Sequence, residues 1–159
     1  MKVKIEKNFL DQKNFNDLKK ISLDFPFYFA DHVAYENHKD GYYFTHTIYE
    51  KYQVNSQPAF QLIMPILHKL KAKALWRAKI NLYPSTNKII EHKQHKDTDF
   101  KCKTFLISLN TCNGFTRIGK NIKVPSIENQ GVFFDSMTPH NSTTCTDKSV
   151  RLNININYF

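Results

Sequence analysis

The stretch RLNININY, residues 151–158, alternates apolar and polar side chains without a break. Successive side chains of a β-strand point to opposite faces of the sheet, so Leu152, Ile154 and Ile156 share one face and the asparagines share the other. We predict that the apolar face packs on a core. The other face, which begins with Arg151, lines something polar.

The same alternation occurs earlier, from Trp76 to Tyr83. Between these two segments lie short strand candidates separated by turn residues, at 104–109, 114–118, 121–124 and 131–134. Many short strands at regular spacing are typical of a sandwich or a barrel. We therefore predict that the chain from Trp76 onward is β.

The N-terminal half has helical periodicity instead. Apolar residues at helix-like intervals predict an amphipathic helix over Asn8–Ile21 and a second one over Ser56–Ala74, kinked at Pro65. Between them, 42–49 reads as a strand and 31–41 as a polar loop. The fold class is thus mostly β with N-terminal helices (α+β), and we expect a single domain over residues 1–159.

Composition narrows the class of protein. With 41% hydrophobic residues among 159, the chain is predicted to be globular rather than disordered. The absence of any run of 18 apolar residues and of an apolar N-terminal core argues against a membrane span and a secretory signal. Three cysteines without CxxC spacing argue against a disulfide framework and a zinc ribbon. We expect a cytoplasmic protein.

The net charge of +9 favours polyanionic partners such as nucleic acid. The lysines are scattered along the chain, however, and only three arginines are present. Lysine is less suited than arginine to bidentate recognition of phosphates and bases, so nucleic-acid binding stays an alternative at this point.

His95-Lys-Asp97 is the segment that points to chemistry. Residues two apart on an extended segment face the same way, so an imidazole and a carboxylate converge. His140 follows 43 residues after Asp97. Two histidines and one carboxylate with an open opposite face suit non-heme Fe(II). His92 and Asp99 are weaker rivals, because His92-x-Gln94 lacks a carboxylate and Asp99 lies four residues from His95.

Arg151 stands eleven residues after His140, on a face that otherwise carries amides. A carboxylate bound by two parallel hydrogen bonds is its natural partner. Asn81 and Tyr83 share one face of the strand that precedes the His95 segment. Together these groups suit a small dicarboxylate.

With these residues the sequence resembles the 2-oxoglutarate- and Fe(II)-dependent dioxygenases, and most of all their small prolyl-hydroxylase-like members encoded by marine bacteriophages. The resemblance runs from the Phe9-Leu10 helix start to the C-terminal strand. It implies a double-stranded β-helix, a jelly-roll fold related to the cupins. It also implies that a phage-encoded protein would act in the host cytoplasm.

The resemblance assigns roles by position. It makes His95, Asp97 and His140 the iron ligands and Arg151 the partner of the distal carboxylate of 2-oxoglutarate. Tyr83 matches a tyrosine that contacts this co-substrate. The amides Asn81 and Asn153 resemble those of the family's nucleic-acid demethylases, which carry a second arginine where this sequence has Asn157.

The resemblance implies hydroxylation of a C–H bond, with Fe(II) as cofactor, 2-oxoglutarate and O2 as co-substrates and ascorbate as a possible supporting reductant. A peptide or protein side chain, such as proline, is the first choice of substrate. Two alternatives stay open: oxidation of a nucleobase, and a non-catalytic basic β-barrel that binds nucleic acid. The side chains of Tyr42, Tyr43, Tyr49 and Trp76 are candidates to line the substrate's approach. Ordinary packing is the alternative for all four, and it is the better account of Trp76.

Overall fold

The computed structural model describes residues 2–34 and 41–159. In chain order the elements are β1 (Lys4–Glu6), α1 (Gln12–Ser22), β2 (Tyr28–Ala30), β3 (Tyr43–Glu50), β4 (Gln53–Val54), α2 (Gln57–Leu62), α3 (Met64–Leu70), β5 (Leu75–Pro84), β6 (Lys103–Ser108), β7 (Cys112–Ile118), β8 (Ile122–Ser126), β9 (Gly131–Asp135), β10 (His140–Ser142) and β11 (Val150–Tyr158).

The strands form two antiparallel sheets. The larger one has the order β1-β9-β6-β11-β5-β3-β2, with β4 paired to β3, and the smaller one has the order β10-β7-β8. The sheets face each other across a polar interior, since the Arg151 side chain of the larger sheet contacts Thr116 and Ser126 of the smaller one. This is the two-sheet arrangement that the strand pattern predicted, and it agrees with the jelly roll that the family resemblance implied.

Strand β11 lies in the centre of the larger sheet, between β5 and β6. Its register places Arg151 opposite Tyr83 and Asn153 opposite Asn81. Asn155 then lies opposite Lys79, and Asn157 opposite Arg77. Because opposite residues of paired strands share a face, β5 and β11 together present an almost wholly polar surface to the interior.

The opposite face of the larger sheet carries the main hydrophobic core. Ile154 and Ile156 are fully buried there, and the helices contribute Phe15, Leu18 and Ile66. The predicted apolar face of the last strand is therefore confirmed, and the helices cover it.

The helices begin and end differently from the prediction. The first starts at Gln12 because the Asp11 side chain caps it, accepting a hydrogen bond from the Asn14 backbone N–H at 3.0 Å. The second prediction corresponds to two helices, α2 and α3, that meet at Ile63. Pro65 lacks an N–H and interrupts the helical hydrogen bonds, so the chain forms two helices where one kinked helix was predicted.

The strands predicted at 42–49, 76–83 and beyond Thr104 are present within a few residues of their expected bounds. The sequence did not reveal β1, β2, β4 and β10, which are only two or three residues long. Of the predicted loop 31–41, residues 35–40 lie outside the described residues. Within residues 2–34 and 41–159, no helix has the length and apolar character needed to cross a membrane.

Candidate active site

Three side chains converge where the smaller sheet meets the segment that follows β5. Ligand atoms of His95, Asp97 and His140 all lie within 4.8 Å of one another. Asp97 Oδ1 is 3.9 Å from His95 Nε2 and 3.7 Å from His140 Nε2. The three residues that the sequence singled out therefore meet at one point.

The backbone holds this convergence in place. His95 and His140 pair as an isolated antiparallel bridge, in which each N–H donates to the other's carbonyl at 2.9 Å. The Asp97 N–H donates to the Ser136 carbonyl at 3.0 Å. Because His95 and Asp97 are two apart on this extended segment, their side chains project to the same side, as predicted.

The imidazoles present Nε2 to the centre. His140 Nδ1 lies 2.9 Å from the Thr138 carbonyl, which can only accept, so Nδ1 carries a proton and Nε2 is the nitrogen that faces the cluster. Burial, together with the neighbouring His140, lowers the pKa of His95 to about 4. The neutral form of His95, which is the form that binds a metal, is therefore favoured.

Asp97 is almost completely enclosed, with 2% of its side chain exposed. Burial alone would raise its pKa, but His140, the Arg77 guanidinium and the Asn157 amide outweigh burial and hold the pKa well below its ordinary value. Arg77 donates to Oδ1 at 2.8 Å. Asn157 and Thr104 donate to Oδ2 at 2.9 and 3.1 Å. These contacts fix the orientation of a carboxylate that is ionised.

A donor set of two histidines and one carboxylate fits Fe(II) by its chemistry, because this is the set that non-heme iron sites use. Next to His95 lies a cavity of about 630 Å³, whose lining also includes Asp99 and Met137.

Arg151 is the largest fully buried side chain of the described residues, with 1% exposed. Its three hydrogen bonds go to neutral oxygens: Ser126 Oγ at 2.6 Å, Thr116 Oγ1 at 2.7 Å and the Thr143 carbonyl at 3.2 Å. No carboxylate of the described residues lies within 4.0 Å of its guanidinium. A charge this deeply buried ordinarily has a counter-ion, so the site suits an anion from outside the chain.

The other predicted co-substrate residues border Arg151. Tyr83 lies opposite it in the strand register, and the guanidinium carbon is 5.5 Å from the centre of the Tyr83 ring. Burial raises the pKa of Tyr83, so its hydroxyl stays protonated and can donate. Asn81 Nδ2 donates to Asn153 Oδ1 at 3.1 Å, one step along the same pair of strands.

No protein-family model and no curated protein sequence matches this chain. Solved structures do. A prolyl hydroxylase from Trichoplax adhaerens, in complex with a hypoxia inducible factor oxygen degradation domain peptide fragment, aligns with a TM-score of 0.70 at 15% identity over 99% of this chain and 83% of its own. A 2OG-Fe(II) oxygenase family oxidoreductase from Burkholderia pseudomallei gives 0.74 at 11% identity, over 98% and 84% of the two chains.

A Pseudomonas putida prolyl-4-hydroxylase aligns with a TM-score of 0.65 at 13% identity, over 98% of this chain and 91% of the other. The chain has the fold of the 2-oxoglutarate- and Fe(II)-dependent oxygenases. Its two sheets are accordingly those of a double-stranded β-helix, as the resemblance implied.

The interior of this double-stranded β-helix holds two cations that the sequence reasoning did not assign, Arg77 and Lys79. Arg77 supports Asp97, and the Lys79 ammonium donates to Tyr43 Oη at 3.1 Å. The sequence contained a signal for them. Arg77 and Lys79 alternate with apolar residues along β5, which places them on the same face as Asn81 and Tyr83.

The rivals to the metal-binding residues have other surroundings. His92 is buried, with Nδ1 2.9 Å from Ser142 Oγ and its ring stacked against Tyr83. Asp99 lines the cavity beside His95 and does not join the cluster. The cysteines are buried free thiols, and Cys112 and Cys145 come together with Asp147 at a separate place.

Of the aromatic residues considered for the substrate's approach, Tyr43 faces the interior and stacks on Tyr83 with 5.4 Å between the ring centres. Tyr49 contacts Phe60 on the helical side instead. Tyr42 clusters with Phe29 at the surface. The Trp76 ring contacts Tyr52 and Phe100 edge-on, so Trp76 packs against other aromatic side chains, which was the alternative interpretation of this residue.

Proposed function

We propose that this protein is a 2-oxoglutarate- and Fe(II)-dependent dioxygenase that hydroxylates a C–H bond, most plausibly on a peptide or protein side chain. Residues 1–159 form its catalytic domain. His95, Asp97 and His140 hold the iron. Arg151, Tyr83, Asn81 and Asn153 form the seat of 2-oxoglutarate, which is converted to succinate and carbon dioxide.

The observation that carries this proposal is the pairing of two incomplete sites in one interior. One is a cluster of two imidazoles and an ionised carboxylate, with ligand atoms within 4.8 Å of one another. The other is a buried guanidinium that contacts neutral oxygens alone. A metal completes the first and an organic carboxylate completes the second, and 2-oxoglutarate has one group for each.

A non-catalytic barrel has no need of either feature. Burying an arginine without an acid costs several kcal/mol by general estimates, and so does holding a buried carboxylate away from solvent. The basic-barrel alternative would be expected to place its charges at the surface, where phosphates can reach them. The arrangement of the interior therefore favours an enzyme.

Each residue has a defined task in this reaction. Arg77, Asn157 and Thr104 orient Asp97, and the Thr138 carbonyl fixes the proton of His140 on Nδ1. When bound, Fe(II) supplies the activation of dioxygen that oxidises a C–H bond while 2-oxoglutarate is decarboxylated. Arg151 sets the position of the co-substrate along the barrel, and the enclosing sheets exclude water from the reacting groups.

A peptide or protein substrate is supported by the prolyl hydroxylases among the similar structures, one of which holds a peptide fragment. The cavity beside His95 is open to the surface and is bordered by Asp99 and Met137. A side chain presented by an extended segment can reach the open side of the metal site through this cavity. The amides that resemble those of the nucleic-acid demethylases, Asn81 and Asn153, bind each other at 3.1 Å.

Anaerobic titration tests this function before any substrate is known. Adding Fe(II) and then 2-oxoglutarate to the protein is expected to produce the weak visible absorption of a metal-bound keto acid. In air, the same mixture with ascorbate is expected to form succinate slowly. Absence of both signals from a folded protein that binds Fe(II) would reject the proposal.

A further inference from the structure

Lys79 lies at the centre of the polar interior. It occupies the face of β5 between Arg77 and Asn81, opposite Asn155 of β11 and Thr47 of β3. Asn155 Nδ2 is itself 3.4 Å from Asp97 Oδ2. The backbone of Lys79 therefore lies at the level of the metal-binding residues, and its ammonium extends to Tyr43, which stacks on Tyr83.

The partners of Lys79 are neutral. Its Nζ donates to Tyr43 Oη at 3.1 Å and lies 5.4 Å from the centre of the same ring. No carboxylate of the described residues lies within 4.0 Å of this Nζ. Burial lowers the pKa of Lys79, and Arg77 acts in the same direction, whereas Tyr83, Asp97 and Glu50 act against it. The Lys79 residue is half-buried.

The charges of the interior do not balance without another anion. Its described cations are Arg77, Lys79 and Arg151, and its carboxylates are Asp97 and Glu50, the latter opposite Arg77. With the iron dication and the 2-oxoglutarate dianion of the proposed reaction included, the positive charges exceed the negative charges by one. Arg77 has Asp97 at 2.8 Å and Arg151 is assigned to the co-substrate, whereas Lys79 has a neutral hydroxyl as its hydrogen-bond partner, so Lys79 is the cation available to a further anion.

We infer that Lys79, held by Tyr43, binds a negatively charged group of the substrate that is hydroxylated. This inference rests on the proposed function, and it narrows the substrate to molecules or side chains that carry an anion near the reacting carbon. A lysine ammonium is a compact point charge that suits such a group, and its attraction is strong in a partly dry interior.

Acetate is the simplest probe for this group, and acetamide is its uncharged match. The protein with 13C-labelled lysine is loaded with Zn(II) and 2-oxoglutarate, so that Arg151 and the metal are occupied, and each probe is titrated by NMR. The Lys79 signal is identified by its loss in Lys79→Met. We expect acetate to shift it saturably, and acetamide to bind at least about tenfold more weakly.

Two variants sharpen the result. Tyr43→Phe removes the hydroxyl that holds the ammonium and is expected to weaken acetate binding severalfold. Lys13→Met, on the exposed face of α1, is the matched control and is expected to leave the Lys79 titration unchanged. An unsaturable Lys79 response, or equal responses to acetate and acetamide, would overturn the inference.

A separate titration assigns the source of the anion. If Lys79→Met weakens binding of 2-oxoglutarate more than about tenfold, the group bound by Lys79 belongs to the co-substrate, and the inference about the substrate is wrong. If wild-type protein fails to bind 2-oxoglutarate, the proposed function fails instead. The Lys79 signal still reports on acetate in that sample, so the two failures are distinguishable.

Discussion

Replacing Arg151 by methionine separates the binding role of this residue from its structural role. Methionine keeps most of the aliphatic stem, which passes so close to Gly114 that a Cβ there would lie 2.7 Å from Arg151 Cδ. The change removes a buried charge and also the hydrogen bonds to Ser126, Thr116 and the Thr143 carbonyl. It leaves the metal-binding residues intact.

The two effects on the unliganded protein oppose each other. Desolvating an ion costs several kcal/mol, and each hydrogen bond to a charged group contributes about 1.5–3 kcal/mol, so we expect the free energy of unfolding to change by less than about 2 kcal/mol. Binding is different. Loss of one partner of a buried charge pair costs about 2–5 kcal/mol, which raises the Kd for 2-oxoglutarate by about 30-fold or more.

Thermal unfolding of the Fe(II)-loaded protein without oxygen measures both quantities. At 2-oxoglutarate concentrations near 100 times the wild-type Kd, the ligand stabilises the wild type by about 2.7 kcal/mol, or roughly 5–11 °C in Tm. In Arg151→Met the same concentration should give less than about 1 kcal/mol, or roughly 3 °C.

Arg117→Met is the matched control, since Arg117 pairs with Glu91 at the surface, where ion pairs contribute about 0–1 kcal/mol. This control is expected to keep the full ligand-induced shift. A wild-type-sized shift in Arg151→Met would refute the assignment of Arg151 to the co-substrate, and the reasoning from its unpaired charge with it.

Three further outcomes are expected. Asp97→Ala abolishes Fe(II) binding and succinate formation, whereas Asp99→Ala retains Fe(II) binding; unchanged turnover in the first variant would reject the ligand assignment. Arg77→Gln lowers Fe(II) affinity by about 10–100-fold, because Asp97 loses the donor to Oδ1, and an unaltered metal titration would contradict this. Gly114→Ala lowers the free energy of unfolding by about 1–3 kcal/mol and weakens 2-oxoglutarate binding, since its Cβ collides with Arg151 and the Thr144 carbonyl; denaturant unfolding with and without ligand checks both.

The alternation of β11 was enough to predict which of its faces packs and which lines the interior. The alternation of apolar and polar side chains is a local property of the strand. Turning the strand over would bury its asparagines in the apolar core between the larger sheet and the helices. The convergence of His95 and Asp97 was predictable for the same reason. His140 was harder to place, because its position depends on a bridge to His95 formed across 45 residues of chain.

What the sequence could not show is which strands are neighbours. The contacts of Asp97 come from β5, β6 and β11, three strands whose pairing is set by the whole sheet. Arg77 and Lys79 could be recognised from the sequence as polar positions of β5. The residues around them in the sequence do not indicate that Arg77 contacts Asp97 and that Lys79 contacts Tyr43. The shortest strands were not predicted, because two or three residues are too few to show an alternation of apolar and polar side chains.

The register explains a departure from the family pattern. The nucleic-acid demethylases, whose amides Asn81 and Asn153 resemble, are expected to carry a second arginine six residues after the first, where this sequence has Asn157. In the structure Asn157 lies opposite Arg77, and both donate to Asp97, Asn157 to Oδ2 and Arg77 to Oδ1. The donors to Asp97 are therefore divided between two paired strands, with a cation on β5 and an amide on β11. Because paired positions share a face, a cation at this level of either strand can reach the carboxylate, so the charge that holds Asp97 need not stand in β11. The motif of a single strand is for this reason a weaker guide to the surroundings of Asp97 than the register of β5 and β11 together.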